Sequence, residues 1–405
     1  MVFGFGKSKQ QAAPAAKAPP AAPGVASAMP RTSTIPRGPM NGLMQDWKLT
    51  VDKVIEHAHF NHGSREIVTR TVEGPIVRST YSDLYWRARQ CSNALLADGV
   101  QKGDRVATLA WNTTRHIETW YGARCIGAVL HTLNPRLFPE QIAWIINHAE
   151  DTHVFYDTTF QPIVEAIKDK CPSVRRWVVL TDKEHTPQSG IKDLRNYEDY
   201  IGGQPKDVVW GDFDEQTACG LCYTSGTTGD PKGVLYSHRS NVLHTLIGLQ
   251  KDAIGVGAAD TVLPVVPMFH ANAWGLAFSC AAAGCKLVMP GAKLDGPSVH
   301  ELLESEGVTF SAAVPTVWLG LLQHLRATNS KLSTLKRVVI GGTAVPEAIN
   351  RGIRDEDGVD VTQAWGMTEM APLGTLSAPN AKVAAMSDED QLRYKLKQGR
   401  PPIGV

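Results

Sequence analysis

A stretch rich in glycine and hydroxyl residues constrains the fold of this chain more than any other feature. Residues 223–233 read YTSGTTGDPKG, an apolar run at residues 218–223 leads into them, and a second apolar run follows at residues 233–236. Glycine lacks a Cβ atom, so backbone N–H groups can turn inward, and serine and threonine hydroxyls add further donors. The pattern predicts a loop between two strands, in which these donors and the Lys232 cation form a nest for a polyphosphate.

The spacing within this stretch differs from that of the P-loop. A P-loop has a second glycine five residues after the first, whereas here Pro231 stands five residues after Gly226. An ordinary turn without a ligand is the alternative interpretation. The combination of glycines, hydroxyls and a lysine in so short a stretch favours phosphate binding over that alternative.

Charge and cysteine usage narrow the class of protein. The 41 Lys and Arg residues nearly balance the 40 Asp and Glu residues, so the net charge of +1 gives no reason to expect a nucleic-acid partner. Seven dispersed cysteines indicate a reducing compartment rather than a disulfide framework. Cys219 and Cys222 form an isolated C-x-x-C pair and read as buried strand positions.

The longest apolar run, residues 274–285, is too short to span a membrane and predicts a core helix.

Residues 1–42 differ from the rest of the chain. They are rich in Ala and Pro and carry five cations and no acid, which predicts a disordered tail and a cytoplasmic protein. An organelle transit peptide, and hence an organelle matrix location, is the alternative; the scarcity of arginine weakens it.

After residue 50, short apolar strands alternate with helices. We predict a hairpin over residues 66–80, strands at residues 105–110, 129–133, 153–156 and 178–181, and helices at residues 80–98, 114–127 and 139–149. Short apolar strands between helices imply parallel sheets covered on both faces. The sequence therefore predicts an α/β fold with two doubly wound, mostly parallel sheets, one before and one after about residue 200. We place subdomain boundaries at residues 43–200, 201–380 and 381–405.

Three further segments carry polar or aromatic residues just beyond predicted strands. His270 lies between Phe269 and Trp274 at a strand end, where open α/β sheets place ligands, although a structural histidine is the alternative. Gly341 and Gly342 also end a strand, and they would let a flat ring approach the backbone closely. A tight turn before a helix is the alternative for these glycines.

The last of these segments, residues 363–369, reads QAWGMTE. Trp365 offers a ring for stacking on adenine, Thr368 a hydroxyl for the α-phosphate, and Glu369 a carboxylate for Mg²⁺. Each signal is weak by itself.

Together, and in this order, residues 223–233, 265–274, 338–343 and 363–369 resemble the motifs of the adenylate-forming superfamily. That superfamily includes acyl-CoA synthetases, adenylation domains of peptide synthetases and luciferases. The resemblance runs from about residue 42 to the last residue, and it is closest to medium- and long-chain fatty-acyl-CoA synthetases. Ala364 and Trp365 stand where the family more often has Gly and Tyr.

The resemblance implies a role for each matching residue. His270, Thr368 and Glu369 are implied to be catalytic, with Glu369 and Thr224 holding Mg²⁺. Trp274 is implied to gate a tunnel between the nucleotide and the acyl pocket, which Val314 and Trp318 would help to line. The residues implied to bind ATP are Thr224, Ser225, Gly226, Thr227, Thr228, Gly229, Lys232, Gly341, Gly342, Thr343, Gln363, Ala364, Trp365 and Gly366.

The implied reaction is attack of a carboxylate on the α-phosphate of ATP, followed by displacement of AMP by the thiol of CoA. The implied function is an ATP-dependent fatty-acid–CoA ligase. The alternatives are activation of a short or aryl acid for CoA or a carrier protein, and an inactive nucleotide-binding fragment. The resemblance also makes a homodimer plausible, and peripheral contact with a membrane is a further expectation.

Residues 398–405 resemble the segment that the family continues with a ribose-binding Asp, a hinge and a small C-terminal domain that carries a catalytic Lys. We therefore expect the β-barrel part and the C-terminal domain to be incomplete or missing. We also expect inefficient turnover by this chain alone.

Overall fold

A computed structural model describes residue 42, residues 44–224 and residues 230–405. The chain falls into two units, Met1–Trp47 and Lys48–Val405. In the first unit the described residues, 42 and 44–47, form no helix or strand. The tail predicted for residues 1–42 therefore lies, apart from residue 42, outside the described residues. All features below belong to the second unit.

Helices and strands alternate through the second unit, as expected. The helices are α1 Asp52–His62, α2 Tyr81–Ala97, α3 Thr114–Cys125, α4 Pro139–Ala149, α5 Gln161–Ile167, α6 Tyr197–Ile201, α7 His238–Gly248, α8 Leu276–Ala283, α9 Gly296–Ser305, α10 Pro315–Thr328, α11 Glu347–Arg351, α12 Ala381–Ala384 and α13 Asp388–Lys395. The strands are β1 Glu66–Arg70, β2 Ile76–Thr80, β3 Arg105–Leu109, β4 Val129–Thr132, β5 Asp151–Tyr156, β6 Arg176–Val179, β7 Arg195–Asn196, β8 Ala218–Thr224, β9 Lys232–Ser237, β10 Thr261–Pro264, β11 Lys286–Met289, β12 Phe310–Ala313, β13 Arg337–Ile340, β14 Asp360–Gly366 and β15 Leu373–Leu376.

Local sequence signals account for several helix boundaries. At the start of α2, the Thr80 side chain accepts a hydrogen bond from the Asp83 N–H, and the Asp83 carboxylate accepts one from the Thr80 N–H. This capping box satisfies backbone donors that a helix start otherwise leaves unpaired. Pro139 opens α4, where the missing N–H of proline has no cost.

A seven-stranded sheet has the order β7-β6-β5-β3-β4-β8-β9. Its strands are parallel except for β9, which pairs antiparallel with β8. In that pair Thr224 lies opposite Lys232, so the two ends of the predicted phosphate loop are held side by side. Cys219 and Cys222 on β8 are buried and unbridged, as expected for strand positions.

An eight-stranded sheet has the order β15-β14-β13-β12-β10-β11-β1-β2. The six central strands are parallel, and antiparallel strands β2 and β15 form its edges. Because the central strands are parallel, the carboxyl ends of β10, β12, β13 and β14 share one edge of the sheet.

A continuous apolar core joins the inner faces of the two sheets. It contains Phe155 of the seven-stranded sheet and Phe310 of the eight-stranded sheet, together with buried side chains of α1, α2, α3 and α8. The prediction of an α/β fold with two mostly parallel sheets packed with helices is confirmed. Among the described helices, none combines the length and the apolar character needed to cross a bilayer.

The sheets do not divide at residue 200, contrary to expectation. The N-terminal hairpin β1–β2 joins the eight-stranded sheet, where Ile67 pairs with Leu287, while β8 and β9 complete the seven-stranded sheet. A two-stranded hairpin cannot bury its own apolar face, so it is stable only when it adds to a larger sheet. Sequence order alone does not show which sheet that is.

The core helix predicted for residues 274–285 is shorter than expected. It starts at Leu276 and ends at Ala283. Residues 271–274 instead have positive φ angles, which bear on the site below.

Candidate active site

A pocket opens where β10, β13 and β14 end. Its volume is about 540 Å³, counting the open mouth. It brings together eight residues that the sequence marked as functional: His270, Trp274, Gly341, Gly342, Ala364, Trp365, Gly366 and Thr368. These residues come from segments up to about a hundred positions apart, and the shared carboxyl edge of the sheet is what assembles them.

The two glycines after β13 leave a narrow space that a larger residue would fill. A Cβ atom at Gly341 would lie 2.8 Å from the Ala364 carbonyl oxygen and 3.2 Å from Cη2 of Trp274. Gly342 has a φ of +83°, and a Cβ there would lie 3.2 Å from Cγ1 of Val314. The Trp274 indole thus packs against the glycine backbone, and the absence of a Cβ atom allows this close approach.

Trp365 provides an aromatic surface in the lining of this pocket. Its side chain is 41 % exposed, and its ring lies against Gly374, where a Cβ would come within 2.7 Å of two ring carbons. A large exposed aromatic ring that lines a pocket is suited to stack on a flat, apolar ligand group.

His270 stands at the mouth of the pocket, just before the left-handed turn that holds Trp274. Although its side chain is exposed, partial desolvation and the nearby Arg136 cation hold the pKa of the imidazole below its usual range. The ring is therefore neutral at pH 7 and has one N–H to donate to a ligand oxygen.

A left-handed turn, Ala271–Trp274, separates His270 from α8. Its four residues have φ angles of 45°, 60°, 51° and 55°, and Gly275 follows at 79°. Left-handed backbone costs about 1–2 kcal/mol for each residue other than glycine, so surrounding contacts must hold this turn in place. The turn lies just before α8, and it directs the Trp274 side chain toward Gly341 and Gly342.

Asn112, which follows β3, fixes the chain just before His270. Its buried amide donates to the carbonyl oxygens of Pro264 and Val266, both at 2.9 Å, and accepts from the Met268 N–H at 2.7 Å. No sequence motif marks this residue. Its only local signal is a polar side chain directly beyond a strand.

We expect Asn112→Ala to lower the free energy of unfolding by about 3 kcal/mol, because three hydrogen bonds worth about 1 kcal/mol each are lost in a buried place. Chemical denaturation would measure this change. Asn93→Ala serves as a control, since Asn93 donates to two backbone carbonyls at the surface and should cost less. Equal losses for the two variants would contradict the role given to Asn112.

The ends of the predicted phosphate loop lie on β8 and β9. Thr224 is partly exposed and its hydroxyl donates to the Lys232 carbonyl oxygen at 3.4 Å, while the Lys232 side chain is exposed. The Tyr236 hydroxyl on β9 donates to the Thr368 carbonyl oxygen at 2.6 Å, which links this hairpin to the pocket segment. Ser225, Gly226, Thr227, Thr228 and Gly229 lie outside the described residues.

Glu369 follows Thr368 in a short 3₁₀ turn, Thr368–Met370. Its carboxylate is exposed and, within residues 44–224 and 230–405, no hydrogen bond or ion pair engages it. Mg²⁺ prefers carboxylate and hydroxyl oxygens, and it usually keeps several waters beside one or two protein ligands. An accessible carboxylate without a partner beside a pocket fits that requirement.

Four predicted site residues are not among the described residues that line the pocket. Gln363 is buried, and its side-chain oxygen accepts a hydrogen bond from the Val345 N–H at 3.2 Å. Trp318 lies fully within a hydrophobic core, where its Nε1 donates to the Ala313 carbonyl oxygen at 3.3 Å. Thr343 is exposed beyond the pocket lining, whereas Val314 approaches the pocket at Gly342. Their ligand contacts stay predictions.

Comparison with known proteins gives consistent results. A model of the AMP-binding enzyme family matches residues 55–405. The chain is 46% identical over 366 residues to the 3-methylmercaptopropionyl-CoA ligase of Ruegeria lacuscaerulensis, covering 90% of this chain and 68% of that protein. It is also 46% identical over 366 residues to the medium-chain-fatty-acid–CoA ligase of Ectopseudomonas oleovorans, covering 90% of this chain and 67% of that one. The chain thus spans about two-thirds of the length of these relatives.

The fold has a solved counterpart. A long-chain-fatty-acid-CoA ligase from Archaeoglobus fulgidus superposes with a TM-score of 0.76 at 22% identity, covering 88% of this chain and 69% of that chain. The family match over residues 55–405, the identity to these relatives and the pocket residues agree with the predicted resemblance: the chain belongs to the AMP-binding enzyme family.

Proposed function

We propose that this chain is an ATP-dependent acyl-CoA ligase, which joins a carboxylic acid to AMP and then passes the acyl group to the thiol of CoA. The observation that carries the proposal is the single pocket shared by Trp365, the two glycines, His270 and Trp274. It pairs a surface suited to adenine with a neutral hydrogen-bond donor and an apolar wall.

In this proposal adenine lies between the Trp365 ring and the backbone of Gly341 and Gly342. The triphosphate extends toward the β8–β9 hairpin, where the Lys232 cation reaches its oxygens. Thr368 holds the α-phosphate at the pocket edge. Tyr236, by its hydrogen bond to the Thr368 backbone, keeps the hairpin and the pocket segment at a fixed distance.

The acid enters beside His270. Its carboxylate accepts the imidazole N–H and is held in line with the α-phosphate, so that attack expels pyrophosphate. Glu369, with Thr224, would hold Mg²⁺, which neutralises charge that develops on the phosphate oxygens when it is bound. The remaining residues align the two reactants and exclude water from them.

The wall of the pocket favours an apolar acid. Ile254, Val339 and Leu373 line it together with Trp274, and none of the described residues that line it has a charged side chain. A fatty acid of medium or long chain fits this wall better than an amino acid, whose ammonium group would lose its hydration without a partner. CoA is the proposed thiol acceptor, because both relatives are CoA ligases.

A short or aryl acid is the second candidate. The Trp274 ring packs on the glycine backbone and limits the depth of the pocket, which favours compact acids unless this ring moves.

The free, buried state of all seven cysteines accords with a reducing compartment such as the cytoplasm. A homodimer and peripheral membrane contact stay predictions.

The test is ATP–pyrophosphate exchange by the purified chain with octanoate, palmitate, benzoate and no acid. The proposal expects exchange that depends on a fatty acid. Exchange with benzoate alone would favour the second candidate. Tight binding of ATP without exchange for any acid would support a non-catalytic nucleotide-binding role.

Trp274→Ala should shift chain-length preference toward longer acids. Removal of the ring deepens the pocket beyond Gly341, so we expect the ratio of kcat/KM for palmitate over octanoate to rise about tenfold. Steady-state kinetics with both acids would measure it, and Trp274→Phe should keep most of the original ratio. An unchanged ratio in Trp274→Ala would remove this residue from the acyl path.

A further inference from the structure

Arg124 on α3 is a buried cation that pairs with no carboxylate in the described part of the chain. The residue is 1 % exposed, and its guanidinium lies over the Trp120 ring at 4.0 Å and the Phe278 ring at 5.1 Å. Among the described residues, its Nε and Nη1 atoms have no hydrogen-bond partner. Its Nη2 donates to Oδ1 of Asn272 at 2.9 Å.

This placement is costly for the folded state. Burial removes water from the guanidinium, and no carboxylate of residues 44–224 or 230–405 replaces the lost hydration, so desolvation lowers the pKa of Arg124. An apolar side chain of similar length would avoid that cost. The Trp120 and Phe278 rings offset part of that cost through cation–π contacts, and among the described residues the Asn272 contact is the one hydrogen bond that the side chain makes.

Asn272 is the second residue of the left-handed turn, at a φ of 60°. Its Nδ2 donates to Oδ1 of Asn241 at 3.3 Å. Asn241 in turn donates to the Ser237 carbonyl oxygen at 3.0 Å and to Sγ of Cys219 at 3.1 Å. A buried chain of amide contacts thus ties the turn to β8 and β9.

We propose that Arg124 is a positioning residue: through Asn272 it holds Ala271–Trp274 in the left-handed conformation, and so sets His270 and Trp274 against the pocket. Its effect on catalysis rests on the proposed ligase function. The hydrogen bond acts on a turn that is intrinsically strained, which is why losing one contact changes the position of both flanking residues.

Three variants test the proposal. Arg124→Met keeps bulk but removes the contact, Asn272→Gly keeps access to positive φ but removes the amide, and Tyr121→Phe is the control. Tyr121 lies on the same helix, and its hydroxyl donates to the Ala277 carbonyl oxygen on α8 rather than to the turn. Readouts are kcat and KM for acid and for ATP in the exchange assay, and the melting temperature.

We expect Arg124→Met to lower kcat/KM for the acid about 10- to 100-fold, the range for a lost hydrogen bond to a charged group. KM for ATP should stay the same, since the phosphate-loop strands do not change. The melting temperature should stay the same or rise, because a buried unpaired charge is removed. Arg124→Lys, which restores a donor, should recover part of the loss. Tyr121→Phe should lower the melting temperature without changing the acid kinetics.

In the double variant Arg124→Met/Asn272→Gly, kcat/KM for the acid should fall no further than in the worse single variant. Both changes break the same Arg124–Asn272 contact, and Asn272→Gly alone already removes the Asn241 contact as well. If the loss in kcat/KM of the double variant equalled the product of the two single losses, the proposal would be overturned. Unchanged acid kinetics in Arg124→Met would overturn it too, as would a fall in melting temperature that accounts for the lost activity.

Failure of the ligase function itself has a different signature. If the unsubstituted chain shows no acid-dependent exchange, the proposed ligase function is wrong. A crystal structure of Arg124→Met would then still test whether Arg124 positions the turn. A turn that leaves the left-handed conformation would support the role of Arg124. An unchanged turn and an unchanged His270 would overturn it. Should Arg124→Met not fold, Asn272→Gly and Arg124→Lys give the same comparisons.

Discussion

Replacing Glu369 by glutamine is expected to lower the rate of Mg²⁺-dependent acyl-adenylate formation about 10²–10³-fold, the loss typical for one electrostatic contributor in a preorganised site. Glutamine keeps the size of the side chain but removes the charge that a hard cation prefers. Since the carboxylate is exposed and engages no partner within the described ranges, the fold should not change. ATP–pyrophosphate exchange at increasing Mg²⁺ concentration would measure the effect.

The control for this change is Glu140→Gln, which neutralises another exposed carboxylate, on α4. It should leave both the rate and its Mg²⁺ dependence as they are. If Glu369→Gln kept the Mg²⁺ dependence of the unsubstituted chain, the metal would have to be held by other residues.

The second large effect concerns Trp365. We expect Trp365→Ala to weaken binding of a non-hydrolysable ATP analogue about 10- to 100-fold, because stacking of a base on an aromatic side chain contributes about 1–3 kcal/mol. The side chain is 41 % exposed, so its removal should have little effect on folding. Isothermal titration calorimetry would give the affinity.

Two further variants make the Trp365 result specific. Trp365→Phe keeps a ring and should keep most of the affinity. Trp86→Ala removes a tryptophan of similar exposure, 37 %, on α2 and outside the pocket lining. Its affinity should equal that of the unsubstituted chain. Equal affinities of Trp365→Ala and the unsubstituted chain would place adenine elsewhere.

The fold was largely accessible from the sequence because its elements have strong local signals. The helix expected at residues 139–149 is α4, since Pro139 starts it and its apolar residues repeat with helical period. The sequence did not show which strands pair with each other. Ile67 pairs with Leu287, and a contact between such distant residues leaves no trace in the pattern around either one.

The sequence indicated those pocket-lining residues that come shortly after strands. His270, Gly341, Gly342, Trp365 and Thr368 all line the pocket, because parallel strands bring their carboxyl ends together. Trp318 shows the limit of this reasoning. Its segment reads as apolar pocket lining, yet the side chain is buried in a core, and an apolar pattern does not distinguish the two.

The sequence did not predict the residues that hold the site in place. Asn112 and Arg124 act through contacts with segments about 150 positions away, so neither carries a motif of its own. The left-handed turn was missed because Ala271 and Ala273 ordinarily favour right-handed helix. Surrounding contacts override that preference, which is common where structure serves a site rather than stability.

In the proposed mechanism, one pocket holds both the nucleotide and the acid. A crystal structure of the chain with a non-hydrolysable acyl-adenylate, such as an octanoyl sulfamoyl adenosine, tests it most directly. We predict adenine between Trp365 and the backbone of Gly341 and Gly342, the sulfamoyl group beside Thr368 and His270, and the acyl chain against Trp274. Adenine bound away from Trp365, or an acyl chain directed away from Trp274, would contradict the account.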